Sequence, residues 1–287
     1  MFLRPSRVVR PKVFSVDRIM LSVIDLAVKA GEMVLCDSGF EVRNKGTKEN
    51  YVTSTDVKVQ EYLRRELTAL IPGSYFMGEE GDLPEEDDRL RGSDRWIWIV
   101  DPIDGTANYA RGMENSVVSI ALVRYGKVVL GTVRHPYLDM TFHAQEGMGA
   151  YMNGERIHVS DRDLAHSMFA TAWSAYNKSR AHQCFRISER LYGECEDIRR
   201  TGTAAFELCM LAKGAIDIYF EINLAPWDYA AASLIVKEAG GFTASLKGDL
   251  DLYAQGTAMA GNTEENLEHV KAVVSEELSK SENSRSD

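Results

Sequence analysis

The sequence lacks most of the short signatures that mark common catalytic and cofactor sites. Its six histidines show no HxxxH or HExxH spacing, which argues against a zinc site. No GxxxxGK[ST] loop is present and no GxGxxG follows a predicted strand, so neither a P-loop nor a dinucleotide site is indicated. Without a GxSxG nucleophile elbow, serine hydrolase chemistry has no starting point. These absences direct attention to the carboxylates.

Cysteine, net positive charge and long apolar runs are also scarce. The four cysteines form no CxxC pair, which favours reduced thiols in a cytoplasm over a disulfide framework. The formal net charge of −10 argues against nonspecific binding to nucleic acid or anionic membranes. The basic N-terminal stretch is interrupted by Pro5 and Pro11 and lacks the apolar core of a signal peptide, and no segment has the length of a membrane span. We therefore expect a cytoplasmic protein with no nucleic-acid or membrane partner.

Apolar periodicity and turn residues divide the chain near residue 160. In the first half, helical spacing covers 16–34 and 56–70, and residues 41–54 predict an edge strand or hairpin. Strands are predicted there at 75–78, 96–100, 117–123, 128–133, 141–144 and 149–152. In the second half strands alternate with helices, which favours a second layered α/β unit. Its elements are predicted at 168–172, 181–191, 198–200, 203–211, 215–221 and 228–239. We therefore predict an N-terminal unit over 1–160 and a C-terminal unit over 161–287.

The strongest chemical signal is DPIDGT at residues 101–106, directly after the apolar strand at 96–100. Two carboxylates, the Ile103 carbonyl and the Thr106 hydroxyl form an all-oxygen set that suits hard ions such as Mg²⁺. Pro102 restricts the backbone, and Gly105 lets a ligand approach its N–H group. In isolation, such a segment would be better explained as a polar turn whose aspartates cap backbone N–H groups.

Three further acidic positions follow predicted strands or open predicted helices. Glu79 lies in GEEG after the strand at 75–78, within a charge run that would ordinarily be solvated. Asp228 in WD and Asp56 in TSTD each stand at a predicted helix start, where the ordinary role is that of an N-cap. None of these positions is diagnostic alone.

Taken together, these segments resemble the inositol monophosphatase family of Mg²⁺-dependent, lithium-sensitive sugar phosphatases. The matching pieces lie in the family's order over about residues 16–270: TSTD at 53–56, GEEG at 78–81, DPIDGT at 101–106, GTAA at 202–205, WDYAAA at 227–232 and EAGG at 238–241. The resemblance implies an α+β fold, a layered α-β-α-β-α sandwich. It also implies a homodimer with two or three Mg²⁺ ions per site.

The resemblance assigns metal ligands to positions of this sequence. The first ion would be held by Glu79, Asp101 and the carbonyl of Ile103. The second would be held by Asp101, Asp104 and Asp228. Asp101 would then bridge two cations, which explains why two carboxylates stand three residues apart.

The resemblance also assigns the groups that act on the substrate. Thr106 and Asp56 would orient and deprotonate the attacking water, and the amides of Gly105 and Thr106 would hold the phosphate. The contacts implied for the alcohol are Asp104, Ala204 and Glu221. Glu221 could instead be a surface acid on an edge strand. Lys45 matches a lysine near the family's active site but could be a plain solvated lysine.

The implied function is a Mg²⁺-dependent phosphomonoesterase that hydrolyses inositol 1-phosphate or a related polyol phosphate. The alternatives are a histidinol-phosphate or fructose-1,6-bisphosphate phosphatase on the same scaffold, or a regulatory binding factor for transcription with retained phosphatase activity. Two segments depart from the family pattern. ANYARGMENS at 107–116 lacks the Pro-aromatic pattern of many relatives, and INLAP at 222–226 replaces a Gly-containing loop. Both leave the substrate open.

Overall fold

The structure is a computed structural model that describes residues 16–44, 51–81, 90–173 and 178–283. Within these ranges the elements stack as helix pair, sheet, helix pair, sheet and helix pair. This order confirms the predicted α+β, α-β-α-β-α sandwich. None of the described helices has the length and apolar character needed to cross a bilayer.

The first two layers come from the first half of the chain. Helices α1 (Val16–Cys36) and α2 (Ser54–Leu70) pack on one face of a seven-stranded sheet, and between them lies the hairpin of β1 (Val42–Asn44) and β2 (Tyr51–Thr53). The sheet runs in chain order: β3 (Tyr75–Gly78), β4 (Ile97–Asp104), β5 (Val117–Arg124), β6 (Lys127–His135), β7 (Met140–Gln145), β8 (Ala150–Met152) and β9 (Glu155–Ile157). The buried apolar faces of α1 and α2 meet β4 and β5 in one core cluster. A short helix, α3 (Thr106–Ala110), follows β4.

The remaining layers come from the second half. A five-stranded sheet has the order β11-β10-β12-β14-β13, with the bounds β10 (Met168–Ala172), β11 (Asp197–Arg199), β12 (Ile218–Leu224), β13 (Phe242–Ala244) and β14 (Gly256–Gly261). Helices α5 (Ala204–Ala212) and α6 (Pro226–Glu238) lie between the two sheets, and α4 (Ala181–Tyr192) and α7 (Glu264–Asn283) cover the outer face. The middle layer is rich in alanine, which lets both sheets approach it closely.

The two halves share a core. The sheets change between β9 and β10, which spans residue 160, yet α6 of the second half packs across β4 to β7 of the first. One continuous apolar cluster joins residues of both halves. The division into units at 1–160 and 161–287 stays a prediction.

Most predicted elements are present within a few residues of their expected bounds, and two differ in ways that matter. β4 does not end at Val100 but continues through Asp104. β12 does not begin at residue 215, because residues 214–216 close the C-terminal turn of α5, where the N–H groups of Ala215 and Ile216 bond the Met210 carbonyl. The strand starts at Ile218 and runs past Glu221 to Leu224.

Candidate metal and phosphate site

A bulge at the end of β4 turns two aspartates to the same side. Residues three apart on a regular strand face opposite sides of the sheet. Here Asp101 pairs with Ser119 and Asp104 with Val117, so three steps on β4 match two on β5. The extra residue reverses the alternation for Asp104. Both carboxylates therefore point into one cleft.

Asp228 joins the pair from the N-terminal turn of α6. Ligand oxygens of Asp101, Asp104 and Asp228 all lie within 4.8 Å of one another. Asp101 and Asp104 are buried, and Asp228 is partly exposed. The cluster contains three of the five predicted metal ligands. The other two, Glu79 and Ile103, line the same cavity.

Each of the three carboxylates is held in place by a backbone N–H group. Ile103 N donates to Asp101 Oδ1 at 2.9 Å and Ala205 N donates to Asp104 Oδ2 at 2.8 Å. Ala225 N donates to Asp228 Oδ2 at 2.7 Å. Two of these amides belong to the N-terminal ends of α5 and α6, where the helix dipole also favours negative charge. The backbone thus fixes where each carboxylate points before any ligand binds.

The cluster is electrostatically unfavourable without a counter-charge. Burial raises the pKa of Asp101 well above its usual range, and the charges of Glu79, Asp104 and Asp228 raise it further. Burial also raises the pKa of Asp104, again with a contribution from Asp228. Buried carboxylates this close are stable in ionised form only when a cation compensates them. An all-oxygen donor set of this kind fits Mg²⁺.

Asp56 and Thr106 form a second unit beside the cluster. Thr106 Oγ1 lies 3.1 Å from Asp56 Oδ1 and 3.0 Å from the Ile103 carbonyl oxygen. The other carboxylate oxygen of Asp56 accepts the N–H of Thr53 at 2.8 Å and the Thr53 hydroxyl. Burial raises the pKa of Asp56 to about 6, although the bonds from Thr53 lower it. The structure thus brings together the two residues predicted to act on water.

The simpler explanation of Asp56 and Asp228 as helix N-caps is wrong. The caps are Thr53 for α2 and Ala225 for α6. Both aspartates stand three residues later, and each accepts the backbone N–H of its cap residue. The sequence predicted both helices to begin too late. An aspartate in the first turn that bonds the N–H of the cap residue gives a local pattern similar to that of an aspartate at the N-cap itself.

Gly105 occupies a position that other residues fill only with strain. Its φ is +90°, and it forms the N-cap of α3. A Cβ atom there would lie 2.9 Å from Thr203 Oγ1 and 3.1 Å from the Asn115 carbonyl oxygen. The glycine therefore lets the chain turn sharply from β4 into α3 while the GTAA segment packs against it.

Glu221 lies inside the second sheet and not at its edge. β12 stands between β10 and β14, and Glu221 is 9% exposed, so the alternative of a surface acid on an edge strand is wrong. The Tyr219 hydroxyl donates to its Oε2 at 2.7 Å. Burial raises the pKa of Glu221 to about 8. Glu221 and Ala204 both line the cavity that contains the acidic cluster.

The cavity has a volume of about 150 Å³, and several of its walls were not anticipated from the sequence. They include Trp173, Arg200 and Asn223. The Arg200 guanidinium lies 5.3 Å from the centre of the Trp173 ring, within range of a cation–π contact. Asn223 has φ +63° at an irregularity in β12, a conformation that asparagine tolerates, and INLAP was the segment that departed from the family pattern. Lys45 lies outside the described residues.

The other departing segment, ANYARGMENS, is hydrogen-bonded to Thr201, directly before the GTAA segment. Asn108 Nδ2 donates to the Thr201 carbonyl at 2.9 Å, and Asn115 Nδ2 donates to the same carbonyl at 3.1 Å. Asn115 in turn accepts from the buried His135, whose Nε2 lies 3.1 Å from its Oδ1 and whose Nδ1 accepts the Leu138 N–H. This part of the departing sequence therefore supports the cleft wall.

The fold and the site define a layered α+β protein with a buried carboxylate cluster open to a small cavity. A model of the inositol monophosphatase family matches residues 16–279, and the chain belongs to this family. An inositol-1-monophosphatase of Mesorhizobium japonicum is 35% identical over 248 residues, which cover 84% of this chain and 90% of that protein. The Nus factor SuhB of Escherichia coli (strain K12) is 33% identical over 250 residues, which cover 85% of this chain and 91% of that protein.

A solved structure supports the same assignment. The extragenic suppressor protein SuhB from Bartonella henselae superposes with a TM-score of 0.80 at 32% identity, over 90% of this chain and 98% of that one. The similarity therefore extends over nearly the whole described fold and includes every element that carries the site.

Proposed function

We propose that this chain is a Mg²⁺-dependent phosphomonoesterase that hydrolyses inositol 1-phosphate or a related small polyol phosphate. The observation that carries the proposal is the set of Asp101, Asp104 and Asp228 oxygens within 4.8 Å of one another, beside the Thr106–Asp56 pair. Membership of the inositol monophosphatase family supports the reaction class.

The residues present fit two divalent cations. Glu79, Asp101 and the Ile103 carbonyl would hold one, and Asp101, Asp104 and Asp228 the other. A third, weaker ion would depend on Glu79. The raised pKa values of Asp101 and Asp104, which have burial as their main cause, support this because a bound cation would offset both the burial and the repulsion. When bound, Mg²⁺ would stabilise the charge of the phosphoryl group and increase the acidity of a water molecule.

The protein's own groups would orient and deprotonate that water. The Thr106 hydroxyl has one proton, so it donates to Asp56 or to the Ile103 carbonyl but not to both at once. When the hydroxyl donates its hydrogen bond to Asp56, its lone pairs can accept a hydrogen bond from the water. Asp56, with a pKa of about 6, is suited to receive a proton near neutral pH. The amides of Gly105 and Thr106 would hold the phosphate oxygens at the turn into α3.

The remaining wall would bind the alcohol. Glu221 and Asp104 provide acceptors for hydroxyl groups, and Ala204 leaves room beside them. A cavity of about 150 Å³ is small against the roughly 300–1,000 Å³ of sites for larger ligands. This size supports a compact polyol phosphate over a nucleotide.

Release of inorganic phosphate tests the proposal directly. We expect release from inositol 1-phosphate in the presence of Mg²⁺ and none in EDTA. Histidinol phosphate, fructose 1,6-bisphosphate and a nucleoside 3′-phosphate are assayed separately as alternative substrates. Asp104→Asn should abolish turnover, whereas Asp249→Asn, at an exposed aspartate, should not change it. No release from any of the four at several Mg²⁺ concentrations would overturn the proposal.

A second role is favoured by similarity to proteins named Nus factor, including the one from Escherichia coli at 33% identity. In this role the chain would act as a binding factor for transcription through a surface away from the cleft. A pull-down with RNA polymerase that succeeds equally with wild type and Asp104→Asn would support it, and loss of capture by the variant would argue against a separate surface. Homodimer formation, inhibition by Li⁺ and a cytoplasmic location remain predictions. Light scattering, phosphatase assays in LiCl and cell fractionation respectively test them.

A further inference from the structure

Glu207 is a fully buried acid that the proposed mechanism does not use. It lies in α5, in the layer between the two sheets, with 0% of its surface exposed. A carboxylate in such surroundings is costly unless hydrogen bonds compensate it. Its surroundings therefore indicate what it does.

Glu207 reaches back past the start of its own helix to bond the preceding turn. The N–H of Thr201 donates to Glu207 Oε1 at 2.5 Å. Burial raises the pKa of Glu207 to about 7, while the backbone hydrogen bond from Thr201 lowers it. The other carboxylate oxygen, Oε2, is buried and has no hydrogen-bond partner among the described residues, so the Thr201 N–H is the donor that holds this side chain.

The turn that Glu207 holds forms a wall of the cleft. Arg200, Gly202 and Ala204 all line the cavity. Next to them, the N–H of Ala205 donates to Asp104. A displacement of this turn would therefore change the space available to the alcohol of the substrate.

The turn is held from two sides. Asn108 and Asn115 donate to the carbonyl of Thr201 from the first half of the chain. Glu207 accepts the N–H of the same residue from the second half. Both polar groups of the Thr201 backbone are thereby fixed, and Glu207 provides the only carboxylate contact to them within the described residues.

We propose that Glu207 is a positioning residue, which fixes the turn at residues 200–204 through the Thr201 N–H and so sets the alcohol side of the cleft. This inference rests on the proposed function, because its kinetic consequence is an effect on a phosphatase substrate. Glu207 contacts the turn and none of the proposed metal ligands. Its removal should raise KM for the substrate while the Mg²⁺ concentration for half-maximal activity stays unchanged.

Three variants and one control separate this role from a general contribution to folding. Glu207→Met keeps the length of the side chain without an acceptor oxygen, Glu207→Ala also removes its volume, and Glu207→Gln keeps an acceptor without the charge. The control is Glu277→Gln, at a glutamate of 6% exposure on the outer helix α7. We expect KM to rise about tenfold in the Met and Ala variants, because the Thr201 N–H loses its acceptor, with kcat within about threefold of wild type. Glu207→Gln should have a KM close to that of wild type, and so should the control, Glu277→Gln.

Amide hydrogen exchange gives a readout that does not depend on activity. In the metal-free wild type we expect the Thr201 amide to be protected, and in Glu207→Met we expect it to exchange about tenfold faster. The Thr53 N–H donates a hydrogen bond to Asp56, and its exchange rate should be the same in the variant as in wild type. The wild-type measurement holds even if a variant fails to fold.

The inference would be overturned by an unprotected Thr201 amide in the wild type, or by folded Met and Ala variants with unchanged KM and exchange. A Gln variant as impaired as the Met variant would also overturn it, because the acceptor would then not be what matters. Should the wild type release no phosphate from any substrate, the proposed function alone would fail. The exchange measurements would still decide whether Glu207 holds the turn.

Discussion

Asp104→Asn should abolish turnover and yet stabilise the metal-free protein. The amide keeps the size of the side chain and an oxygen for the Ala205 N–H, but it removes one negative charge. At 4.8 Å and an effective dielectric constant of about 20, two unit charges repel by about 3.5 kcal/mol. Because the raised pKa values of Asp101 and Asp104, with burial as their main cause, mean that protons already relieve part of this repulsion, we expect a net gain of about 1–2 kcal/mol.

Thermal unfolding measures this gain. At about 2–4 °C per kcal/mol for a chain of this size, the variant should melt about 2–8 °C above wild type in EDTA. Mg²⁺ binds only the folded state and should raise the Tm of wild type more than that of the variant, because the variant keeps the ligands proposed for the first ion but loses one ligand of the second. Asp249→Asn, at an exposed aspartate, should match wild type in both conditions. A metal-free Asp104→Asn that melts below wild type would refute the repulsion within the cluster, and a variant that gains as much from Mg²⁺ as wild type would refute Asp104 as a metal ligand.

Buried carboxyl groups with raised pKa values also determine how the stability of the metal-free protein depends on pH. A carboxyl group whose pKa is raised by folding holds its proton in the folded state at a pH where the unfolded chain has released it. Its contribution to stability is therefore complete below the unfolded pKa near 4 and is lost as the pH rises through the folded pKa. For Asp56 that loss runs from about pH 4 to about pH 6 and for Glu221 from about pH 4 to about pH 8, with burial as the main cause of both shifts. We expect these groups to lower the Tm of the metal-free protein between about pH 4 and pH 8, and Asp104→Asn to reduce the slope. A Tm in EDTA that rises steadily over this range would contradict the shifts.

Three further predictions follow from single contacts. Asp56→Asn should lower kcat by about 10²–10⁴-fold, as loss of a general base does, while stabilisation by Mg²⁺ persists. Turnover assays and thermal melting in Mg²⁺ check these two effects, and an unchanged kcat would contradict the role of Asp56 as a base. Glu221→Gln should lower kcat/KM for inositol 1-phosphate about tenfold and spare a smaller phosphomonoester, because only the larger alcohol reaches that wall; equal losses on both would argue against it. Gly105→Ala should destabilise the fold by about 1–3 kcal/mol, from its φ of +90° and from the approach of the new Cβ to Thr203. Gly112→Ala, at φ +64° with open space around it, is the matched control and should cost less in denaturant unfolding.

The sequence predicted the acidic residues of the cleft but not the geometry that unites them. The apolar run before Asp101, the breaker after it and the helix that follows Asp56 are all local signals, and they give the elements to within a few residues. The bulge between Asp101 and Asp104 is not local. It depends on how β4 pairs with β5, and the pairing register has no signature in the hexapeptide. The sequence therefore predicted a strand that ends at Val100, whereas the structure has a strand that continues through Asp104 with a bulge.

The walls of the cavity were missed for a related reason. Trp173 follows the end of β10, Arg200 follows β11, and Asn223 lies at an irregularity in β12, so the three come together only when the second sheet forms. Aromatic or basic residues at such places are common in any α/β unit and carry no motif. What could have drawn attention to Arg200 is its position two residues before the GTAA segment, which was already assigned to the cleft.

Asp56 and Asp228 show why local patterns could not separate a structural from a functional role. Each accepts its cap residue's N–H through one oxygen, so the sequence context of a helix start is correct for both. A carboxylate has two oxygens, and for Asp56 the second lies against Thr106 in the cleft. The hydrogen bond to the cap residue therefore also orients the carboxylate, because it fixes the rotamer in which the other oxygen faces the cleft. An Asp→Asn change at either position keeps an acceptor for the cap and removes the charge, whereas Asp→Ala removes both. Comparing the two substitutions by unfolding and by turnover therefore separates the contributions that the sequence alone could not.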